Sequence, residues 1–495
     1  MSLINISDLT FAYDGSYDNI FENVSFQIDT DWKLGFSGRN GRGKTTFLNL
    51  LLGKYEYSGT IATNMQFEYF PYEIEDYSKL TIDVIHSIHF DFQEWELIRE
   101  LSLLDVSEDV LDRPFSTLSN GEQTKVLLAT LFLKENSYLL IDEPTNHLDS
   151  KARRIVSDYL KAKHGYILVS HDRKFLDHCV DHILSINKTN IEIQKGNFSS
   201  WWENKQMQDN YEMEENEKLQ KDIKRLTKAA KRTSDWSNQV EARKIGFDPT
   251  KTEKSLTRRA VEGAKSKKMM KRSKAIEFRQ CQAIEEKSKL LKNIENAEQL
   301  KISPLSFYTK TLVNLEDVSI FYGEKQACSN VSFTIEQGDR IALCGKNGTG
   351  KSSIIKLICG EQLTYTGKLE KSSRLVISYV SQDTSYLKGN LSEFAVLHNI
   401  DESLFKTILR KLDFTRTMFD KNMESFSGGQ KKKVLIAKSL CEKAHLYIWD
   451  EPLNFIDVLS RMQIEELLLQ YQPTILFVEH DTSFCETITT KRINL

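Results

Sequence analysis

No apolar run in this 495-residue chain approaches the roughly 18–20 residues that a membrane-crossing helix needs. The opening MSLINISDLT has no basic stretch followed by an apolar one, so no secretory leader is expected. The seven cysteines (Cys179, Cys281, Cys328, Cys344, Cys359, Cys441, Cys485) are odd in number, scattered and never spaced C-x-x-C. That argues against a disulfide framework or a zinc ribbon and for reduced thiols in a cytosol. Charge of one sign is missing too: 67 Lys/Arg stand against 70 Asp/Glu, a net −3, so the whole molecule is not a polybasic nucleic-acid binder. What remains is a chain of ordinary globular composition, 40% hydrophobic, long enough for two or three domains.

Two stretches stand out. Gly38-Arg39-Asn40-Gly41-Arg42-Gly43-Lys44-Thr45 fits the phosphate-binding pattern G-x-x-x-x-G-K-[ST], and Thr46 follows it. Gly345-Lys346-Asn347-Gly348-Thr349-Gly350-Lys351-Ser352, followed by Ser353, fits it again. Before the first, Trp32 to Ser37 reads as a short buried strand; after it, Thr46 to Leu52 reads as the start of a helix. In that setting the glycines let backbone N–H groups close around phosphates, the lysine reaches the β- and γ-phosphates, and the hydroxyl of Thr45 or Ser352 serves Mg²⁺.

The loops belong to an internal repeat. From Lys44 to Ser119 of SNGEQ is 75 residues, and from Lys351 to Ser427 of SGGQ is 76. Asp142 follows Ser119 by 23 residues and Asp450 follows Ser427 by 23; His171 and His480 follow those aspartates by 29 and 30. SYLLIDEP and HLYIWDEP read as buried parallel strands ending in paired carboxylates. Asp142 and Asp450 are placed to hold Mg²⁺ through water. Glu143 and Glu451 are placed to polarise an attacking water, although an Asp-Glu pair alone is also a common solvated strand end. YILVSHD and ILFVEHD each deliver a histidine at a strand tip, where His171 and His480 sense the γ-phosphate. Phosphoryl transfer depends on positioning and charge neutralisation, which this inventory supplies.

Phosphate loop, LSNGE/FSGGQ, strand-Asp-Glu and histidine in that order resemble the ATP-binding cassette, over residues 1 to about 200 and 310 to 495. The resemblance implies two cassettes closing head to tail around two ATP molecules, within one monomer. One site would use Gly38–Thr45, Asp142, Glu143 and His171 with Ser427, Gly428, Gly429 and Gln430. The other would use Gly345–Ser352, Asp450, Glu451 and His480 with Ser119, Asn120, Gly121 and Glu122. Tyr13 and Tyr322, about thirty residues before the loop lysines, either stack on adenine or belong to the core. The family's glutamine between loop and signature, a further Mg²⁺ contact, matches Gln382; the first half offers Tyr72 instead. Asn120 and Glu122 depart from the signature, which makes the site they complete the slower expectation.

Residues 201–305, between cassettes at 1–200 and 306–495, match neither half. Trp201 to Arg232 is nearly free of Gly and Pro, with Leu219, Ile223, Leu226 and Ala230 spaced four, three, four. Ile276, Ala283, Leu290 and Ala297 recur every seven. Each run reads as a long amphipathic helix, and the two as an antiparallel hairpin with a tip near 235–263. From Lys218 to Arg279 there are 20 Lys/Arg and 7 Asp/Glu, a net +13 that leaves the rest of the chain near −16. A basic hairpin on an acidic body suits a polyanion, while a solvated coiled coil is the plainer alternative. Trp236, Phe247, Met269 and Met270 are placed to stack on or wedge against bases. Lys244, Ile245, Phe247 and Leu256 are further tip candidates.

Tandem cassettes, EPTNHLD and a charged helical linker resemble the ABC-F class, and GRNGRGKTT, YIWDEPLN and MMKRSK the Lsa group within it. That resemblance implies a cytoplasmic, ribosome-associated ATPase. Its linker tip would reach toward the peptidyl-transferase centre, meeting 23S rRNA and P-site tRNA from the exit-site side of the 70S ribosome. It would confer resistance to lincosamides, pleuromutilins and streptogramin A, with no DNA or membrane partner. The alternatives are a housekeeping factor of the same class, or the soluble ATPase subunit of a transporter.

Overall fold

The computed structural model describes residues 2–13, 19–134, 136–146, 148–186, 191–245, 300–346 and 348–495, with isolated positions between 267 and 282. For residues 150, 226, 229, 230 and 233–245 it describes the helical backbone alone. The chain divides into two units, Met1–Trp201 with Ala297–Leu495, and Trp202–Asn296.

The first unit contains both halves of the repeat. In the first half, five parallel strands form most of one sheet: β3 (Lys33–Ser37), β5 (Gln66–Phe70), β6 (Ser137–Asp142), β7 (Tyr166–Val169) and β8 (His182–Ile186), all but β5 with buried apolar runs. With the antiparallel β9 (Ile191–Lys195) they follow the order β5-β6-β7-β3-β8-β9. The second half builds a five-stranded parallel sheet, β14-β15-β16-β12-β17, from β12 (Arg340–Cys344), β14 (Ile377–Val380), β15 (Leu446–Asp450), β16 (Ile475–Val478) and β17 (Lys491–Asn494). All four residues of β7 and of β16 are buried, as expected of central parallel strands covered on both faces. Each half adds a three-stranded antiparallel sheet, β2-β1-β4 and β11-β10-β13, formed by β1 (Leu3–Phe11), β2 (Phe21–Asp29), β4 (Ser58–Ala62), β10 (Thr311–Tyr322), β11 (Lys325–Glu336) and β13 (Thr364–Lys371).

Strand order places the chemistry. β7 lies between β6 and β3, and β16 between β15 and β12, so phosphate loop, paired carboxylates and histidine emerge side by side at the carboxyl ends of each sheet. This is where open parallel sheets bind ligands. The two halves also bond each other: Arg173 pairs with Glu465, and Lys174 with Glu486.

The second unit is described mainly by one helix, Phe198–Ile245, 48 residues long. Ion pairs Lys221–Glu217 at 3.4 Å and Arg225–Asp222 at 3.5 Å lie along it. It runs past the expected end near Arg232, because no Gly or Pro intervenes before Gly246. Trp236, Lys244 and Ile245, expected in the tip, therefore lie on helical backbone, with side chains outside the described residues. Phe247, Leu256 and most of the returning run also lie outside them.

Candidate functional site

Both phosphate loops connect a buried strand to a helix, β3 to Lys44–Leu51 and β12 to Lys351–Cys359. Gly43 (φ 93°) and Gly350 (φ 88°) stand at the helix starts in the left-handed region. A Cβ on Gly43 would fall 2.6 Å from Ile20 Cγ2, and one on Gly350 2.7 Å from the Ala327 carbonyl oxygen. Lys44 Nζ donates to the Gly38 and Arg39 carbonyls at 2.6 and 3.2 Å; Lys351 Nζ donates to those of Gly345 and Lys346 at 2.9 and 2.8 Å. Burial pulls the Lys44 ammonium below its usual value, against the opposite pull of Asp457, Glu143 and Asp142. Asn347 lies outside the described residues.

Tyr13 and Tyr322 occupy matching places. Tyr13 Oη lies 2.7 Å from Thr46 Oγ1, and Tyr322 Oη donates to Ser353 Oγ at 3.3 Å. The rings are 43% and 48% exposed, which leaves each a face for a planar ligand beside its loop and tells against a core role.

The carboxylates differ between halves. Asp142 Oδ2 accepts from Thr45 at 3.4 Å and from Tyr69 at 3.1 Å. Asp450 is bonded by Ser352, and burial pushes it up to about 6. Its Oδ1 is buried without a hydrogen-bond partner among the described residues. A hydroxyl and carboxylate oxygens, one of them orphaned, are hard donors of the kind Mg²⁺ takes, so the residues fit that ion. Burial, then the neighbouring Asp142, push Glu143 up to about 8. Burial also acts on Glu451, but His480, Lys432 and Gln382 outweigh it and hold the group below its ordinary range. Gln382 Nε2 and Asn454 Nδ2 donate to Glu451 Oε2 at 2.8 and 2.7 Å. His171 Nε2 lies 3.4 Å from Glu143 Oε1, and His480 Nε2 3.6 Å from Glu451 Oε1. Burial lowers His171 well below its usual value. Both glutamates have left-handed backbone, φ 51° and 47°, rare for a residue with a Cβ.

The register explains part of the contrast. Phe70 stands opposite Ile141 as Val380 stands opposite Trp449, so Tyr72 occupies the place of Gln382. The Tyr72 ring rests 5.5 Å from Lys134 Nζ, and the hydroxyl that reaches the carboxylates belongs to Tyr69. No pattern at the loop or signature pointed to Tyr69. Asn454 was legible only as the asparagine that EPTN and EPLN share.

Ser119 and Ser427 cap the helices Asn120–Leu131 and Gly428–Cys441. Glu122 N and Gln430 N each donate to the capping hydroxyl at 3.3 Å, and both side chains bond back to the serine N–H. Glu122 thus does what Gln430 does, closing a capping box at its own helix start. The Ser119 cap shares a cavity of about 930 Å³ with the second half, lined by Asn120, Gly121 and Glu122 on one side and by Tyr322, Lys351, Ser352, Gln382, Glu451 and His480 on the other. Around the first loop, Asn40 Nδ2 donates to the Phe455 carbonyl at 2.8 Å. A Cβ on Gly429 would lie 3.1 Å from Asn40 Nδ2, while one on Gly428 would meet the Phe455 ring at 3.5 Å. Each loop therefore faces the other half's capped helix.

These features define an ATP-binding cassette protein with two cassettes in one chain. The family described as ABC transporter matches residues 21–146 and 328–454, about half of the chain, and the chain belongs to it, in its ABC-F class. Ribosome protection protein VmlR of Bacillus subtilis (strain 168) is 27% identical over 500 residues, spanning 100% of this chain and 86% of VmlR. Erythromycin resistance ATP-binding protein MsrA of Staphylococcus epidermidis is 29% identical over 497 residues, 96% of this chain and 94% of MsrA. The archaeal ribosome recycling factor aABCE1, solved with the stalk protein aP1, shares the fold with a TM-score of 0.64 at 19% identity, over 98% of this chain and 87% of that one. Among the described residues no helix is long and apolar enough to cross a membrane.

Proposed function

We propose that this chain hydrolyses ATP at two composite sites and uses the cycle to act on the ribosome as a protection factor. The observation that carries the two-site reading is the cavity shared by Ser119 of one half and Lys351 of the other. Thr45 with Asp142, and Ser352 with Asp450 and Gln382, would hold Mg²⁺, which would supply charge neutralisation at the phosphates. Glu143 and Glu451 orient the attacking water, His171 and His480 fix those glutamates toward the terminal phosphate, and Tyr13 and Tyr322 stack on adenine. The capped helices close over the far side of each nucleotide.

The ribosomal reading rests on two supports: relatives named for ribosome protection and erythromycin resistance, and a linker carrying +13 between Lys218 and Arg279 in a chain of net −3. Phosphate contacts by that linker supply affinity, so binding weakens as salt rises. The segment 235–263 approaches the peptidyl-transferase centre, 23S rRNA and the P-site tRNA. It dislodges lincosamide, pleuromutilin or streptogramin A drugs by displacement, and hydrolysis then releases the protein. The test is cosedimentation with 70S ribosomes of the Glu143→Gln/Glu451→Gln chain, with and without ATP, beside a chain lacking residues 235–263. ATP-dependent pelleting, with drug rescue lost only in the deletion, supports the reading. Pelleting without drug rescue in the parent leaves a housekeeping factor. No pelleting at any nucleotide removes the ribosome.

A further inference from the structure

The repeat contains a pair of aspartates that the halves use differently. Asp105 and Asp413 each lie 14 residues before the signature serine, two residues past the helices Glu94–Leu103 and Glu402–Lys411. Both have left-handed backbone, φ 54° and 69°, which aspartate tolerates better than most residues. Asp105 is held inside its own half, 2.9 Å from Lys151 Nζ. Lys151 is the second residue of the helix Ser150–Ala162, capped by Asp149. The equivalent residue, second in the helix Val458–Tyr471 capped by Asp457, is Leu459. Asp413 therefore lacks the lysine that holds Asp105, and its carboxylate crosses to the other half. It stands 3.6 Å from Arg39 and 3.7 Å from Arg42, both in the first phosphate loop. The second loop has Lys346 and Thr349 at those places, so only one of the two charges is repeated there.

We propose that Asp413 is a positioning residue that latches the second half onto the first phosphate loop and slows nucleotide release from that site alone. The inference rests on the two-site reading above. The latch needs two differences between the halves to coincide, Leu459 in place of a lysine and Arg42 in place of a threonine, around an aspartate whose left-handed backbone both halves share. An aspartate between two guanidiniums resists opening by Coulomb attraction across the interface. Because the groups are partly exposed, salt weakens it.

The test measures release of a fluorescent ATP analogue from the full-length protein. In a Lys351→Ala background only the first site is loaded; in a Lys44→Ala background, only the second. Asp413→Asn keeps a residue at home in the left-handed region and removes the charge. It is expected to speed release from the first site by about threefold to tenfold and leave the second unchanged. Leu459→Lys, on a half-buried helix position, gives Asp413 the partner that Asp105 has and is expected to act in the same direction. Asp105→Asn is expected to change neither. In the parent, raising salt to about 0.5 M is expected to speed first-site release, and in Asp413→Asn to have little further effect. Unchanged or slower first-site release in Asp413→Asn, or equal acceleration at both sites, overturns the latch while leaving two sites in place. A parent that binds other than two nucleotides per chain overturns the two-site reading and the latch together.

Discussion

Gln382 donates its amide to Glu451 Oε2 at 2.8 Å, whereas Glu143 Oε1 is buried with His171 Nε2 3.4 Å away and receives no amide of that kind among the described residues. Two glutamates at the same place in a repeated fold thus meet different surroundings. One stays ionised and oriented; the other is pushed up to about 8.

Gln382→Ala removes one of the two amides that orient Glu451, leaving Asn454 alone. In a Lys44→Ala background, steady-state ATP turnover is expected to fall about tenfold, and by more than nucleotide affinity, which loses only the Gln382 contribution to Mg²⁺. An equal loss in turnover and affinity would place Gln382 on the nucleotide itself.

Glu143 gives a pH signature. Its folded-state value, about 8, lies above the ordinary 4.5, so folding favours the protonated form. That contribution to stability is complete below about pH 4.5 and is lost as pH rises through 8. Glu143→Gln keeps a neutral group at every pH. In metal-free, nucleotide-free protein its melting temperature is expected to exceed the parent's by a margin that widens from about pH 6 to 9. A constant margin would show that Glu143 ionises normally.

Gly429 lies where a Cβ would come within 2.3 Å of the Phe455 carbonyl oxygen, whereas one on Gly428 would make ordinary contact at 3.5 Å. Gly429→Ala is expected to displace the Phe455 carbonyl, break its bond with Asn40 of the first loop and cut first-site turnover roughly a hundredfold. Gly428→Ala is expected to cost far less. Turnover in a Lys351→Ala background separates the two.

Lys433 and Asp457 form a pair at 2.7 Å with side chains 4% and 0% exposed. Lys433→Met strands the carboxylate and is expected to destabilise by about 3–5 kcal/mol. Lys125, its repeat counterpart, is buried with no ion pair among the described residues, and burial lowers its ammonium. Lys125→Met is expected to be neutral or mildly stabilising. Urea midpoints of the two variants decide it.

Much of this was legible in the chain. A Gly-rich loop between a buried strand and a helix, or an apolar run ending in Asp-Glu, obeys local rules, and repetition at matched spacing multiplies each signal. The tandem α/β cassettes and the clustering of loops, carboxylates and histidines followed from them. Contacts between distant segments left no such trace. Asn40 and Phe455 are 415 positions apart, and nothing local to either announces the bond. The tyrosines were misleading for a similar reason: alignment pointed to Tyr72, but strand pleat sends Tyr69 to the carboxylate side. Glu122 looked like a departure from a signature, yet a carboxylate closes a capping box as well as an amide does.

The left-handed backbone of Glu143 and Glu451 has a consequence for how the sequence can change over time. At φ 51° and 47° glycine or asparagine is the comfortable residue, and either would relax the turn after the strand. Substitutions away from glutamate that raise stability are therefore open at both positions. Only selection for turnover holds them, so a descendant that kept its partner but no longer needed hydrolysis would show the change first at these two codons.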